Sequence, residues 1–326
     1  MTNTKQIVTQ LGNETVWGTI VPPTIEMSGI MDGTSIPPSL QTQIYNTQRG
    51  SMGPGVHAQG VFHEVSGSVP VYMIYEEFCY WMNLLDAATE AGSGPYTQTY
   101  GAPEDTAVTP DFMTLTHGAG DSVVGVTSAC ASSIDISWSF GELVTSTVNL
   151  MGHSVVADTL AALSPTDDED LTYASGCHAS VYIDTWGGTM GSTEFTKCLS
   201  GNFTIDAQRQ YLGYGGSCYP GGVFDPMGWN ITGSLTLESD ATSAGYVDAI
   251  LSAATKKLIR IDFNNGEAAA DERGAQFDIM ALINVDSVHT DDSGLMTHTI
   301  SFESIQEDDN DYFTAVVTNN VAAIWA

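Results

Sequence analysis

The feature that most constrains this chain is that it repeats itself. VSGSVPVYMIYEEFCYWMNLLDAAT at 65–89 aligns without a gap with ITGSLTLESDATSAGYVDAILSAAT at 231–255, an offset of 166 residues. Seven of the 25 positions are identical (Gly67/Gly233, Ser68/Ser234, Tyr80/Tyr246, Leu85/Leu251, Ala87/Ala253, Ala88/Ala254, Thr89/Thr255), and five more keep their character. GSMGPG at 50–55 meets GSCYPG at 216–221 at the same offset, while LVTSTVNL at 143–150 matches LMTHTISF at 295–302 at an offset of 152. Matches that keep their order indicate one structural unit written twice. The expected organisation is a first domain at 1–155 with an N-terminal arm, an acidic linker at 156–176 around PTDDEDLT, and a second domain at 177–326 with a C-terminal arm. Units of about 150 residues are large enough to bury a core each.

Each copy reads as mainly β with one helix packed on the sheet. SSIDISWSF at 132–140 alternates, with Ile134, Ile136, Trp138 and Phe140 on one face and Ser133, Asp135, Ser137 and Ser139 on the other, as in a sheet buried on one side. LVTSTVNLMG is its expected hairpin partner, and the same arrangement is predicted for 277–304 around a turn at Asp291 to Gly294. SGSVPVY and TGSLTLE also alternate; Pro70, which lacks an amide donor, predicts an edge or a strand end. Phe78, Trp81, Leu85 and Ala88, and in the second copy Val247, Ile250, Leu251 and Ala254, recur at helical spacing and form packing stripes.

Composition narrows the function. Forty-two per cent of residues are apolar, so the chain folds despite a net charge of −31. That charge comes from scarce cations: 39 acids stand against eight Lys plus Arg. Gripping nucleic acid needs basic side chains to displace phosphate counterions, so tight DNA binding is excluded. The five scattered cysteines include no C-x-x-C pair and predict buried free thiols. No apolar run is long enough to span a membrane, and the first residues lack a signal-peptide pattern, so a chain that is cytosolic when made is expected. There is no H-E-x-x-H, no G-x-S-x-G and no phosphate-binding glycine loop. The acidic stretches PTDDEDLT and QEDDND lack the spaced ligands of a calcium loop. No catalytic residue, metal site or cofactor is predicted.

In the order TVWGTIVPPT, SGSVPVYMIYEEFCYWMNLLDAAT, LVTSTVNLMG, ASVYID, FTIDAQRQYLGYGGSCYPGG and TGSLTLE, the chain resembles the major tail tube proteins of long-tailed, siphovirus-type bacteriophages in their two-domain form. Long loops at 31–60 and 92–112 depart from the family pattern. The resemblance implies tail-tube-type β-sandwich or barrel domains and a virion structural protein of the tail. Rings, trimeric with pseudo-sixfold symmetry because each chain carries two domains, would stack into a hollow tube that conducts DNA from capsid to host. Implied partners are the chain itself, a tape-measure protein, a tail terminator and tail-tip proteins, with DNA passing through unbound. On this reading Asp135, Ser137, Thr147, Asn149, Thr236, Glu238, Ser301 and Glu303 are the candidates for an acidic lumen wall. Arg49, Gly50, Ser51, Pro54, Arg209, Gly216, Ser217 and Pro220 are candidates for loops between subunits or rings, the two arginines pairing with acids of the next protomer. A β-sandwich adhesion, carbohydrate-binding or virion decoration protein is the alternative, because aromatic-rich YLGYGGSCYPGGVF could stack on sugars.

Overall fold

The computed structural model describes residues 7–325 except 37, 46–56, 103–110, 121, 164–169, 227, 253–254, 268–270, 293 and 308–311. The first half of the chain carries β1 (Val8–Glu14), β2 (Ile25–Met27), β3 (Pro38–Tyr45), β4 (His57–Tyr72), α1 (Tyr75–Asn83), β5 (Thr89–Gly92), β6 (Tyr96–Gly101), β7 (Phe112–Ala119), β8 (Ser122–Ser139), β9 (Thr145–Gly152) and β10 (Ser154–Ala157). The second half carries β11 (Ala179–Thr185), β12 (Cys198–Asp206), β13 (Gln210–Leu212), β14 (Gly222–Phe224), β15 (Asn230–Glu238), α2 (Ala241–Ser252), β16 (Thr255–Asn264), β17 (Gly274–Asp292), β18 (Leu295–Ser304) and β19 (Phe313–Asn319).

The same succession of antiparallel pairings runs through both halves. In the first, β1 pairs with β7, β7 with β8, β8 with β9 and β9 with β4. In the second, β11 pairs with β16, β16 with β17, β17 with β18 and β18 with β15. The long strands β8 and β17 each serve two layers by changing partners halfway. Their registers shift there, between Ala131 and Ser133 on β8 and between Val285 and Thr290 on β17, as bulges that bend a strand from one sheet into another. Two ladders join the halves: β8 with β12, and β6 with β19.

Alternation fixes which side of each strand is buried. On β9 the pattern is strict, with Ser146, Val148 and Leu150 inside and Thr145, Thr147 and Asn149 between them only partly covered. Most of the described buried apolar side chains form a single cluster that crosses from one half to the other, rather than one core per repeat. Trp138 of β8 packs edge-on against Phe203 and Phe263, and Phe78 of α1 meets Phe277 at 6.2 Å between ring centroids. Gly201 makes the crossing possible, because a Cβ at that position would overlap the Trp138 ring.

Several expectations are corrected. The span read as a loop at 31–60 contains β3 and the start of β4, and that at 92–112 contains β6. Neither run alternates in an apolar pattern, and β6 is held by its ladder to β19, more than 200 residues away in sequence, which local periodicity does not reveal. Pro70 lies near the end of β4 but not at an edge, since β9 covers one side and the Met31 amide donates to the Pro70 carbonyl on the other at 2.9 Å. All five thiols are free, yet only Cys79 and Cys130 are buried; Cys198 is partly covered, and Cys177 and Cys218 are exposed. Past residues 164–169, the end of the expected linker is stitched to the first half. The Ala174 amide donates to Met73 O at 2.8 Å, and Val144 N to Ala174 O at 2.9 Å.

Candidate functional site

The ladder between β8 and β12 turns the sheets of the two halves into one surface, in the order β4, β9, β8, β12, β15, β18. Its register can be followed residue by residue. Asp135 lies opposite Thr147 on β9 and Thr204 on β12; Thr204 lies opposite Thr232 on β15, and Thr232 opposite Glu303 on β18. One row along, Ser137, Asn202, Ser234 and Ser301 follow each other in the same way. Since successive residues alternate sides, all eight lumen candidates fall on this single face, with Thr236 and Glu238 further along β15. Ile134, Ile136, Phe203, Leu235, Ile300 and Phe302 are buried on the other.

The face is a hydrogen-bonded mosaic. Asp135 accepts from Thr204 Oγ1 at 2.5 Å and from Asn149 Nδ2 at 2.9 Å, and Asn149 also donates to Ser133 Oγ at 2.8 Å. Asn202 Nδ2 donates to Ser234 Oγ at 3.0 Å, and Ser301 Oγ to Asp286 Oδ1 at 2.7 Å. Ser137 and Thr145 share a hydroxyl hydrogen bond of 2.9 Å. Such cross-strand pairs order the side chains while leaving carboxylate charge at the surface.

The described cations are already engaged. Lys5 and Arg49 lie outside the described residues. Lys197, at the edge of the face, bridges Glu238 and Asp240 at 3.2 and 3.3 Å. Arg260 holds Asp278 with two bonds of 2.6 and 2.8 Å, Lys256 holds Glu307 at 2.7 Å, and Lys257 stands 5.4 Å from the centre of the Tyr246 ring. Arg273 and Arg209 are buried in ion pairs with Glu76 and Asp225. Every described Lys or Arg therefore already has an anionic or aromatic partner.

Arg209 differs most from its sequence-based expectation. It is not offered to a neighbouring protomer: its side chain is 0% exposed, its Nε donates to Asp225 at 2.8 Å, and Nη1 donates to the carbonyls of Leu84 and Ala131 at 2.6 and 2.7 Å. Nη2 donates to the Leu85 carbonyl. The fixed fork of the guanidinium satisfies the backbone just after α1, where a helix C-terminus leaves carbonyls without partners. No local pattern could reveal this, because the carbonyls lie about 80 and 125 residues from Arg209.

Arg49, Gly50, Ser51 and Pro54 lie outside the described residues. Gly216 and Ser217 are exposed between β13 and β14, whereas Pro220 is buried. This loop packs on the first half of its own chain: Trp17 Nε1 donates to Pro220 O at 3.0 Å, His63 N donates to Cys218 O at 2.7 Å, and Tyr219 stacks between His63 and His153 at 4.2 and 5.2 Å. Among the described residues no group of three or more His, Cys, Asp and Glu side chains could hold a metal, and no helix is long and apolar enough to cross a membrane.

A family model described as phage tail tube protein matches residues 4–304. No curated protein matches the chain.

Proposed function

The chain belongs to the phage tail tube protein family, a structural component of the virion tail, and from that premise we propose that it forms rings of three copies that stack into a hollow, DNA-conducting tube. Membership implies self-assembly into a tube and association with other tail proteins. The finer assignments are our reading: two copies of one domain arising by duplication, pseudo-sixfold rings, a tape-measure protein, terminator and tip proteins as partners, and the polar face as the lumen wall.

The observation that carries the reading is the polar face shared by six strands, on which no described Lys or Arg stands without a partner. DNA moving through a tube is held back wherever a phosphate finds a cation to replace its counterions. Here Asp135 and Glu303 present carboxylates, Glu238 neutralises Lys197, and the hydroxyls and amides between them are hydrogen-bonded to each other. Phosphate is repelled by the carboxylates and finds no charge to pair with on the hydroxyls and amides. A surface built this way suits passage rather than binding.

Negative-stain electron microscopy of the concentrated chain in enough salt to screen the −31 charge tests the reading. Hollow rings or tubes with three copies per layer are the expected outcome. Particles no larger than one chain at every concentration and salt would overturn it.

A further inference from the structure

The seam between β8 and β12 has a counterpart that each chain leaves open. Along its second half, β8 lies between β9 and β12, which covers residues 133–139. β17 holds the same place in the second half of the chain: β16 covers one edge over 274–283, and β18 covers the other over 281–292. Beyond Ile283, the edge that β12 closes on β8 has no partner on β17 among the described pairings. Asn284, Asp286, Val288 and Thr290 there are exposed.

The matching edge lies in the first half. β12 stands beside β15, and the chain standing beside β4 in the same way is 30–36 with 38–39, tied by the pairs Ile30 with Val71, Ser35 with Ser68 and Pro38 with Val65. Its outer side, where β8 would lie if this were β12, has no strand partner among the described pairings. The two open edges thus repeat, one each, the two sides of a seam that the chain already closes once.

We propose that these edges join between copies: residues 284–292 of β17 pair antiparallel with residues 30–36 and 38–39 of a second copy, as β8 pairs with β12. The internal seam supplies the register. Asn202 lies opposite Ser234 and Ser137; Ser234 corresponds to Ser68, opposite Ser35, and the Ser137 to Thr145 pair corresponds to Thr290 with Thr297. Ser35 therefore meets Thr290 of the neighbour, and by the same transfer Ser39 meets Asn284. An edge with unpaired amides and carbonyls is a template for another strand, and a contact using different surfaces on the two copies closes into a ring when its rotation does. The inference rests on the tube reading and adds to it which strands meet, and in what register.

The test is a cysteine pair in a Cys177→Ser, Cys218→Ser background, which removes the exposed thiols. Opposed residues on antiparallel strands lie about 4.5–5.5 Å apart between Cα atoms, within disulfide range. Ser137→Cys with Asn202→Cys is the control inside one chain. Under mild oxidation of the assembled protein, Ser35→Cys with Thr290→Cys is expected to give covalent ladders ending at three chains. Ser35→Cys with Asn284→Cys, which the same register places opposite Ser39, four residues or about 13 Å away, is expected to give none. Rings or tubes in which the first pair stays reduced while the internal control closes would overturn this seam and leave the tube reading standing. A chain that never assembles by electron microscopy would overturn both.

Discussion

The two helices of the molecule follow equivalent strands and carry similar apolar stripes, yet they end in different surroundings. Every residue of α1 except Tyr80 is buried, including Glu76 and Glu77, whereas Ala241, Thr242, Gly245 and Asp248 of α2 are exposed. Besides Ser28, Gly29 and Tyr100 of its own half, what covers α1 is the linker end and the second half of the chain. Asn319 Nδ2 donates to Tyr75 O at 2.9 Å, Arg273 Nε to Glu76 Oε1 at 3.0 Å, and Thr172 N to Glu76 Oε2 at 2.9 Å, while Trp325 packs on Tyr80 at 5.4 Å. The burial of α1 therefore owes much to the junction between the halves, beyond its packing on its own half. Among the described residues α2 has no such junction within the chain.

Breaking the junction should cost far more than breaking its surface counterparts. Arg209→Ala strands the buried Asp225 carboxylate and three carbonyls, a loss of about 5 kcal/mol. Arg260→Ala, at a partly exposed pair, should lose about 1 kcal/mol. Urea unfolding of both variants measures the gap, and equal losses would mean that Arg209 does not lock the halves. Next in size, Trp81→Ala in α1 should cost about 4 kcal/mol by leaving a cavity in the shared core. Val247→Ala, the described buried contact of α2, should cost about 2 kcal/mol. If the two helices proved equally sensitive, α2 would be packed as tightly as α1 in solution.

The smallest effect is a difference in pH response. Burial pushes the Asp86 carboxyl, just after α1, up to about 6; the Ala87 amide and Arg209 oppose the shift, and Asp111 and Asp225 add to it. A carboxyl raised on folding contributes stability that is fully present below its unfolded value near 4 and is lost as pH rises through about 6. At Asp184 in the second half, burial also pushes upward but is outweighed by hydrogen bonds from Ser192, Thr193 and Gly191, so its value is lowered. Its contribution is present above about 4 and fades on acidification. Asp86→Asn should gain in Tm relative to the unmodified chain between pH 5 and 7. Asp184→Asn should instead lose least below pH 4. Thermal melts across that range decide it, and a constant gap for Asp86→Asn would refute the assignment.

What was legible in the sequence is what depends on neighbours within a few residues. Alternation at 132–140 and 143–150 placed β8 and β9 and put Asp135, Ser137, Thr147 and Asn149 on one face, because side chains switch sides at every residue. Matched segments placed a strand and a helix in both halves at the right positions. The order of motifs pointed to the family whose model matches residues 4–304. Partners distant in sequence were not legible. That β12 closes against β8, that Trp138 needs a glycine at 201, and that Arg209 turns inward to the end of α1 are contacts between residues about 60 to 125 positions apart. Periodicity states which side of a strand is apolar, but an open edge carries the same amides and carbonyls whatever its side chains, so only the folded chain decides which edges meet.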